Sequence, residues 1–94
     1  MDAPNKGYSD NPQVNREMDS QDDYFLMLHN DDINTFEHVI DSLVKICLHD
    51  HDQAEQCALI THFKGVCDVK KGNFAALHQM RKELILNGLT ATVE

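Results

Sequence analysis

Positive charge is scarce in this 94-residue chain: eight Lys and Arg stand against sixteen Asp and Glu, a net of −8. Nowhere do more than two basic residues adjoin, whereas binding to a phosphate backbone needs clustered cations. A nucleic-acid partner is therefore not expected, and the acidic surface suits cationic ligands or basic protein patches instead. Long apolar runs are also missing. Nothing approaches a membrane span or a signal-peptide core, so a soluble, cytoplasmic chain with no membrane partner is expected. Cysteine is limited to Cys47, Cys57 and Cys67, odd in number and without a CxxC pair. Free, mostly buried thiols in a reducing compartment fit this usage better than disulfides, and a ten-residue spacing is not that of metal ligands. The motifs of catalysis are absent as well: there is no GxSxG, no Gly-rich phosphate loop and no HExxH. A binding protein is favoured over an enzyme, and no cofactor is implied. The enzymatic alternative is a minor activity built on Cys67 and His62.

What is present describes one small globular domain. An apolar content of 41% with two Pro and four Gly is ordinary for a folded chain of this size, which has room for one core and one shallow site. Residues 1–23 hold mainly Asn, Asp, Ser, Gln, Pro and Gly, and cannot bury enough apolar surface to offset their ordering entropy. They are expected to form a flexible tail ahead of a folded domain over 24–94.

Tyr24 to Leu28 is an unbroken apolar run that ends in Asn30-Asp31-Asp32, the pattern of a buried strand leading into a loop. Asn34 or Thr35 can cap a helix, with Glu37 completing a capping box from Asn34. Phe36, Val39, Ile40, Leu43 and Cys47 form its apolar face. A second helix starts at Asp50, with Gln53 at the capping-box position, and runs to Lys64 before Gly65. It carries Ala54, Cys57, Ala58 and Thr61 along one side. Small residues there suggest close packing or the wall of a pocket. Val66 to Lys70 reads as a strand. Asn73 caps a third helix lined by Phe74, Leu77, Met80 and Leu84, ending at Asn87-Gly88. Leu89 to Val93 closes the chain as a strand. The order β-α-α-β-α-β implies an α+β sandwich: a three-stranded antiparallel sheet covered on one face by three helices.

Two polar clusters are candidate sites. His29-Asn30-Asp31-Asp32 follows the first strand directly. Such residues serve turns, but their oxygens converging at a strand end would also suit a cation or an ammonium group. The second cluster is His49-Asp50-His51-Asp52, with His62 downstream. Imidazoles and carboxylates both ligate zinc, so a metal-binding module using His49 and His51 is the alternative function. Four consecutive residues at a helix start diverge, however, and Asp50 has a capping role. His51 and His62 on one helix lie roughly 16 Å apart at 1.5 Å per residue, too far to share an ion. A solvated loop suits this cluster better. His62, between Thr61 and Phe63, is expected to be half-buried.

In order, Tyr24-Phe25-Leu26-Met27-Leu28-His29-Asn30-Asp31-Asp32 and Phe36-Glu37-His38-Val39-Ile40 resemble the opening strand and first helix of the ClpS family. These are adaptors of the Clp protease that recognise N-degrons. The resemblance continues through Ala54-Glu55, His62-Phe63-Lys64-Gly65 and Val66-Cys67-Asp68-Val69 to Leu89-Thr90-Ala91-Thr92-Val93-Glu94. It implies a ligand that is the first residue of a protein: a bulky apolar side chain such as Leu, Phe, Tyr or Trp beside a free α-ammonium. By this resemblance Asn30, Asp31 and His62 hold the ammonium, and Asp32 shapes the loop. An ammonium has three donors and no acceptor, so a set of three acceptors matches it. The side chain would enter a pocket of Ile33, Asn34, Phe36, Val39, Ala58, Thr61 and Leu89. Delivery to a Clp-type AAA+ ATPase, ClpA- or ClpC-like, is the implied outcome, with 1–23 as delivery segment. The sequence departs from the family in Ile33-Asn34-Thr35, where Tyr-Thr-Pro is usual. Phe36 replaces a common Met, which implies a narrower or stiffer entrance, while Ala58 and Thr61 stand where Met and Val are usual, which implies a roomier and more polar pocket.

Overall fold

The computed structural model describes residues 23–94 of the chain. The flexible tail expected over 1–23 thus lies, apart from Asp23, outside the described residues. The elements follow the expected order. Strand β1 spans Tyr24–His29, α1 Phe36–Ile46, α2 His51–Lys64, β2 Val66–Gly72, α3 Phe74–Leu86 and β3 Thr90–Val93. Strand β1 is central in the sheet order β2-β1-β3, antiparallel to both neighbours. No helix among the described residues is long and apolar enough to cross a membrane.

Local chemistry explains each boundary. The hydroxyl of Thr35, not the Asn34 side chain, caps α1 by accepting from the His38 N–H at 3.1 Å. The capping box expected from Asn34 to Glu37 is therefore absent, because Asn34 is engaged in the loop before the helix. Asp50 caps α2 through the Gln53 N–H at 2.8 Å, and Asn73 caps α3 through the Ala76 N–H at 2.8 Å. Gly65, at φ 91°, ends α2 in the left-handed conformation that side chains disfavour. Helix α3 ends in a Schellman turn: Leu89 N–H donates to Leu84 C=O at 3.0 Å and Gly88 N–H to Ile85 C=O at 2.9 Å. Gly88 supplies the required positive φ of 88°. This turn fixes where Leu89 enters the domain, its N–H bonded to the Leu84 carbonyl.

The core lies between the sheet and the helices. Leu26 and Leu28 of β1 are fully buried with Leu43, Cys47, Leu77 and Leu84, and Cys67, Val69 and Ala91 complete the covered sheet face. The apolar run of β1 is not buried on both sides, as its composition suggested. Phe25 and Met27 lie on the opposite face, where Phe25 meets the Lys71 ammonium at 5.7 Å from the ring centroid. One covered face gives the alternation that an unbroken run of apolar residues conceals. A bulge at Val69, between the Leu26–Lys70 and Met27–Asp68 pairs, leaves both Val69 and Lys70 on the helix side. From there Lys70 Nζ donates to the Cys47 carbonyl at the end of α1, 3.0 Å away.

Candidate functional site

The site forms where β1 stops. The Asn30 N–H donates to the Gly65 carbonyl at 2.9 Å, tying the loop after β1 to the last turn of α2. His62 belongs to that last turn, so the tie brings two residues 32 positions apart in sequence to one rim. The C-terminal end of a helix carries partial negative charge from its free carbonyls, which favours a cation beside it.

Asp31 organises the loop. Its Oδ1 accepts from the Ile33 N–H at 2.9 Å, the Asn34 N–H at 2.9 Å and the Asn34 amide at 3.1 Å. Its Oδ2 accepts from the same amide at 2.9 Å. Partial burial pushes the Asp31 carboxyl up, but these bonds and the nearby His38 outweigh it and hold the group below its ordinary value. The side chain is therefore a carboxylate at neutral pH, with acceptor capacity left on Oδ2. The loop-shaping role expected for Asp32 falls to Asp31, because only the latter's oxygens face the amides of the turn.

A cavity of about 340 Å³ opens beside this loop. It is lined by Leu28 and His29 from β1, and by Asn30, Asp31 and Asn34 from the loop. Phe36 and Val39 come from α1, Ala58, Thr61 and His62 from α2, and Leu89 from the α3–β3 turn. Its apolar wall is built by the packing that forms the core. Leu28, Ala58, Thr61 and Leu89 are all buried. The Thr61 hydroxyl donates to the Cys57 carbonyl at 2.8 Å, so it is already satisfied within α2. The wall is thus less polar than the composition suggested, since that hydroxyl has no free donor. The arrangement can take a ligand with an apolar end seated against Leu28, Val39, Ala58 and Leu89 and a cationic end at the acceptor-rich rim.

The structure brings together Asn30, Asp31, His62, Asn34, Phe36, Val39, Ala58, Thr61 and Leu89. Ile33 is the exception. It is 90% exposed and outside the cavity, because the Asp31 turn through its own N–H directs the chain past the rim. His62 is exposed rather than half-buried, resting edge-on against Phe63 at 4.9 Å between ring centroids. His29, a member of the first polar cluster, also lines the cavity, and so does Leu28, which the sequence does not mark as a site residue; its signal is its place at the end of the strand before the loop.

The histidine cluster ahead of α2 divides. His49 is 4% exposed, and its Nε2 meets the Val69 carbonyl at 2.6 Å. A carbonyl only accepts, so Nε2 carries the proton, while Nδ1 is buried without a partner. His51 is exposed and groups instead with Asp52 and Glu55, with ligand atoms within 4.8 Å of one another. His49 and His51 are therefore not assembled as a ligand pair. His51 is solvated as expected, although it is the first residue of α2 rather than part of a loop, and the solvated reading fails for His49, which the chain turns inward after Leu48. Cys67 is buried, and its thiol is pushed up to about 12, chiefly by burial and then by Cys57 and Asp68. Cys47 is pushed up to about 11, again chiefly by burial. Thiols held protonated are poor nucleophiles.

Comparison with known proteins bears on this geometry. A sequence model of the family described as ATP-dependent Clp protease adaptor protein ClpS matches residues 19–92. Among curated proteins, nothing matches. Among solved structures, the chain is similar to Agrobacterium tumefaciens ClpS2 bound to L-phenylalaninamide. The TM-score is 0.71 at 23% identity, over 76% of this chain and 93% of that one. At that identity the likeness is one of fold.

Proposed function

The chain belongs to the ClpS family of Clp protease adaptor proteins, and from that premise we propose that it binds N-degrons. The ligand is the first residue of a protein, with a free α-ammonium and a bulky apolar side chain such as Phe, Leu, Tyr or Trp. The observation that carries this reading is the cavity itself, an apolar wall with acceptors gathered at its rim. L-Phenylalaninamide, the ligand bound to the Agrobacterium protein, has the matching halves: an ammonium and a benzyl group.

In this reading Asn30 offers its amide oxygen, Asp31 its Oδ2 and His62 a ring nitrogen to the three ammonium donors. The carboxylate contact is the strongest of the three because it is charge-assisted. Proximity to the C-terminal end of α2 adds to the field. The side chain enters against Asn34, Phe36, Val39, Ala58, Thr61 and Leu89, and full burial of such a group stabilises the complex by about 1.5–3 kcal/mol. No bond is made or broken. The chain is an adaptor and not an enzyme, it acts in the cytoplasm, and it hands its cargo to a Clp-type AAA+ unfoldase, ClpA- or ClpC-like. An NMR titration with L-phenylalaninamide tests the binding step. Shifts should concentrate at Asn30, Asp31, Ala58, Thr61, His62 and Leu89. Absence of saturable shifts there, or shifts centred elsewhere, would contradict it.

A further inference from the structure

We infer that His38, which does not line the cavity, sets its selectivity by strapping the Asn87-Gly88 turn to α1. The inference rests on the proposed N-degron site and adds a positioning residue to it. His38 Nε2 lies 2.7 Å from the Asn87 carbonyl, and since that carbonyl only accepts, Nε2 is the donor. One turn earlier, the Asn34 amide donates to the Gly88 carbonyl at 2.8 Å. Two adjacent carbonyls of one turn are thus held by two side chains, one from the first turn of α1 and one from the loop before it.

The turn they hold carries a cavity wall. Leu89 follows Gly88 directly, is 4% exposed and lines the cavity together with Phe36 and Val39. Helix α1 packs mainly on α2 and only sparsely on α3, so few contacts between the two helices hold α1 to the end of α3 from which this turn springs. The Schellman bonds fix the shape of the turn, but both run within the segment Leu84–Leu89 and do not reach α1. Leu89 belongs to the core against which Phe36 and Val39 pack, and the two straps are the hydrogen bonds that hold the turn beside it to α1 and the loop before it. A wall held at fixed distance discriminates between side chains of different width, and a released wall discriminates less. Asn34 also holds Asp31, so its replacement disturbs the ammonium end. His38 is the strap that can be cut with least effect on the ammonium end: it is exposed and outside the cavity, and its one link to the acceptors, its charge near Asp31, acts on every peptide alike and leaves their ratio unchanged.

The test compares wild type, His38→Ala and His38→Gln, whose amide can donate to the same carbonyl. Affinities for Phe-, Leu- and Trp-initiated peptides are measured by fluorescence polarisation, and exchange of the Gly88 and Leu89 amides by NMR. With one exposed hydrogen bond lost, His38→Ala should bind the Phe and Leu peptides about two- to fivefold more weakly. The Trp peptide should lose less, so that the Phe-to-Trp ratio falls at least about twofold, and His38→Gln should restore it. Exchange at Gly88 and Leu89 should quicken in His38→Ala. An unchanged ratio, an equal loss for all three peptides, or no rescue by Gln would overturn the inference. Unchanged exchange would overturn the strap whether or not any peptide binds. Failure of the wild type to bind any of the peptides would instead overturn the N-degron reading, leaving the exchange result to judge the strap.

Discussion

Replacing Asp31 by Asn separates the two tasks of this side chain. The variant retains one carbonyl oxygen in place of Oδ1, which can still accept the Ile33 and Asn34 backbone N–H groups at their present 2.9 Å. It loses the charge, and it places an NH2 where the Asn34 amide now donates to Oδ2. Two donors then face each other, and that contact is lost. A net hydrogen bond contributes about 0.5–1.5 kcal/mol, so stability should fall by about 1 kcal/mol. In a domain of this size that is a drop in Tm of about 4–8 °C. The effect on binding is larger. A charge-assisted contact is worth about 1.5–3 kcal/mol, and solvent screening at this half-exposed rim favours the lower figure. Affinity for a Phe-initiated peptide should therefore fall at least about tenfold. Asn34→Ala is the control, since it removes the same amide bonds, and the one to Gly88, while leaving the charge. It should lose as much Tm but less affinity than Asp31→Asn. The assays are thermal melting and fluorescence polarisation on the same samples. Affinity of Asp31→Asn within about twofold of wild type would refute the role of the charge, and a larger affinity loss in Asn34→Ala would assign the effect to loop order.

The same carboxylate carries an acid dependence. Its folded value lies below the ordinary 3.8, so its contribution is fully present above that value and is lost as pH falls through the folded one. Urea midpoints should decline between about pH 5 and about pH 2 more steeply in wild type than in Asp31→Asn; parallel curves would contradict this. Ala58→Leu tests the cavity wall: Ala58 is buried against open volume, so the larger side chain should occupy ligand space. Affinity should fall about tenfold or more with Tm unchanged or raised, as measured by the same pair of assays. Leu84 is fully buried in the core, so Leu84→Ala should lower stability by about 2–5 kcal/mol in urea unfolding. A loss under about 1 kcal/mol would contradict its place in the core.

The elements were legible because their stop signals are local. Asp50, Asn73 and Gly65 act in the structure as their positions implied. The start of α1 was ambiguous because Asn34 and Thr35 are both good caps, and a contact with Gly88, 54 residues away, decided between them. The apolar run of β1 concealed its alternation, since Phe25 and Met27 are apolar on a face that the helices do not cover. Most of the cavity was legible through the ordered resemblance, which places residues from α1, α2 and the last turn together. Ile33 was misplaced because its orientation depends on the turn closed by Asp31, not on its own hydrophobicity. His49 was misread because its neighbours are polar, while its burial depends on the distant Val69 carbonyl. The division between Asp31 and Asp32 likewise rests on which carboxylate meets the Asn34 amide, a matter of three-dimensional geometry.

The ammonium is the feature on which the account depends most directly. One Phe-initiated peptide, titrated with a free and with an acetylated α-amino group, isolates it, because acetylation removes the charge and leaves the benzyl group intact. The account predicts that the free peptide saturates the protein and that acetylation lowers affinity by about two orders of magnitude or more, since three acceptors lose their cation. Binding of the two peptides within about threefold of each other would contradict it.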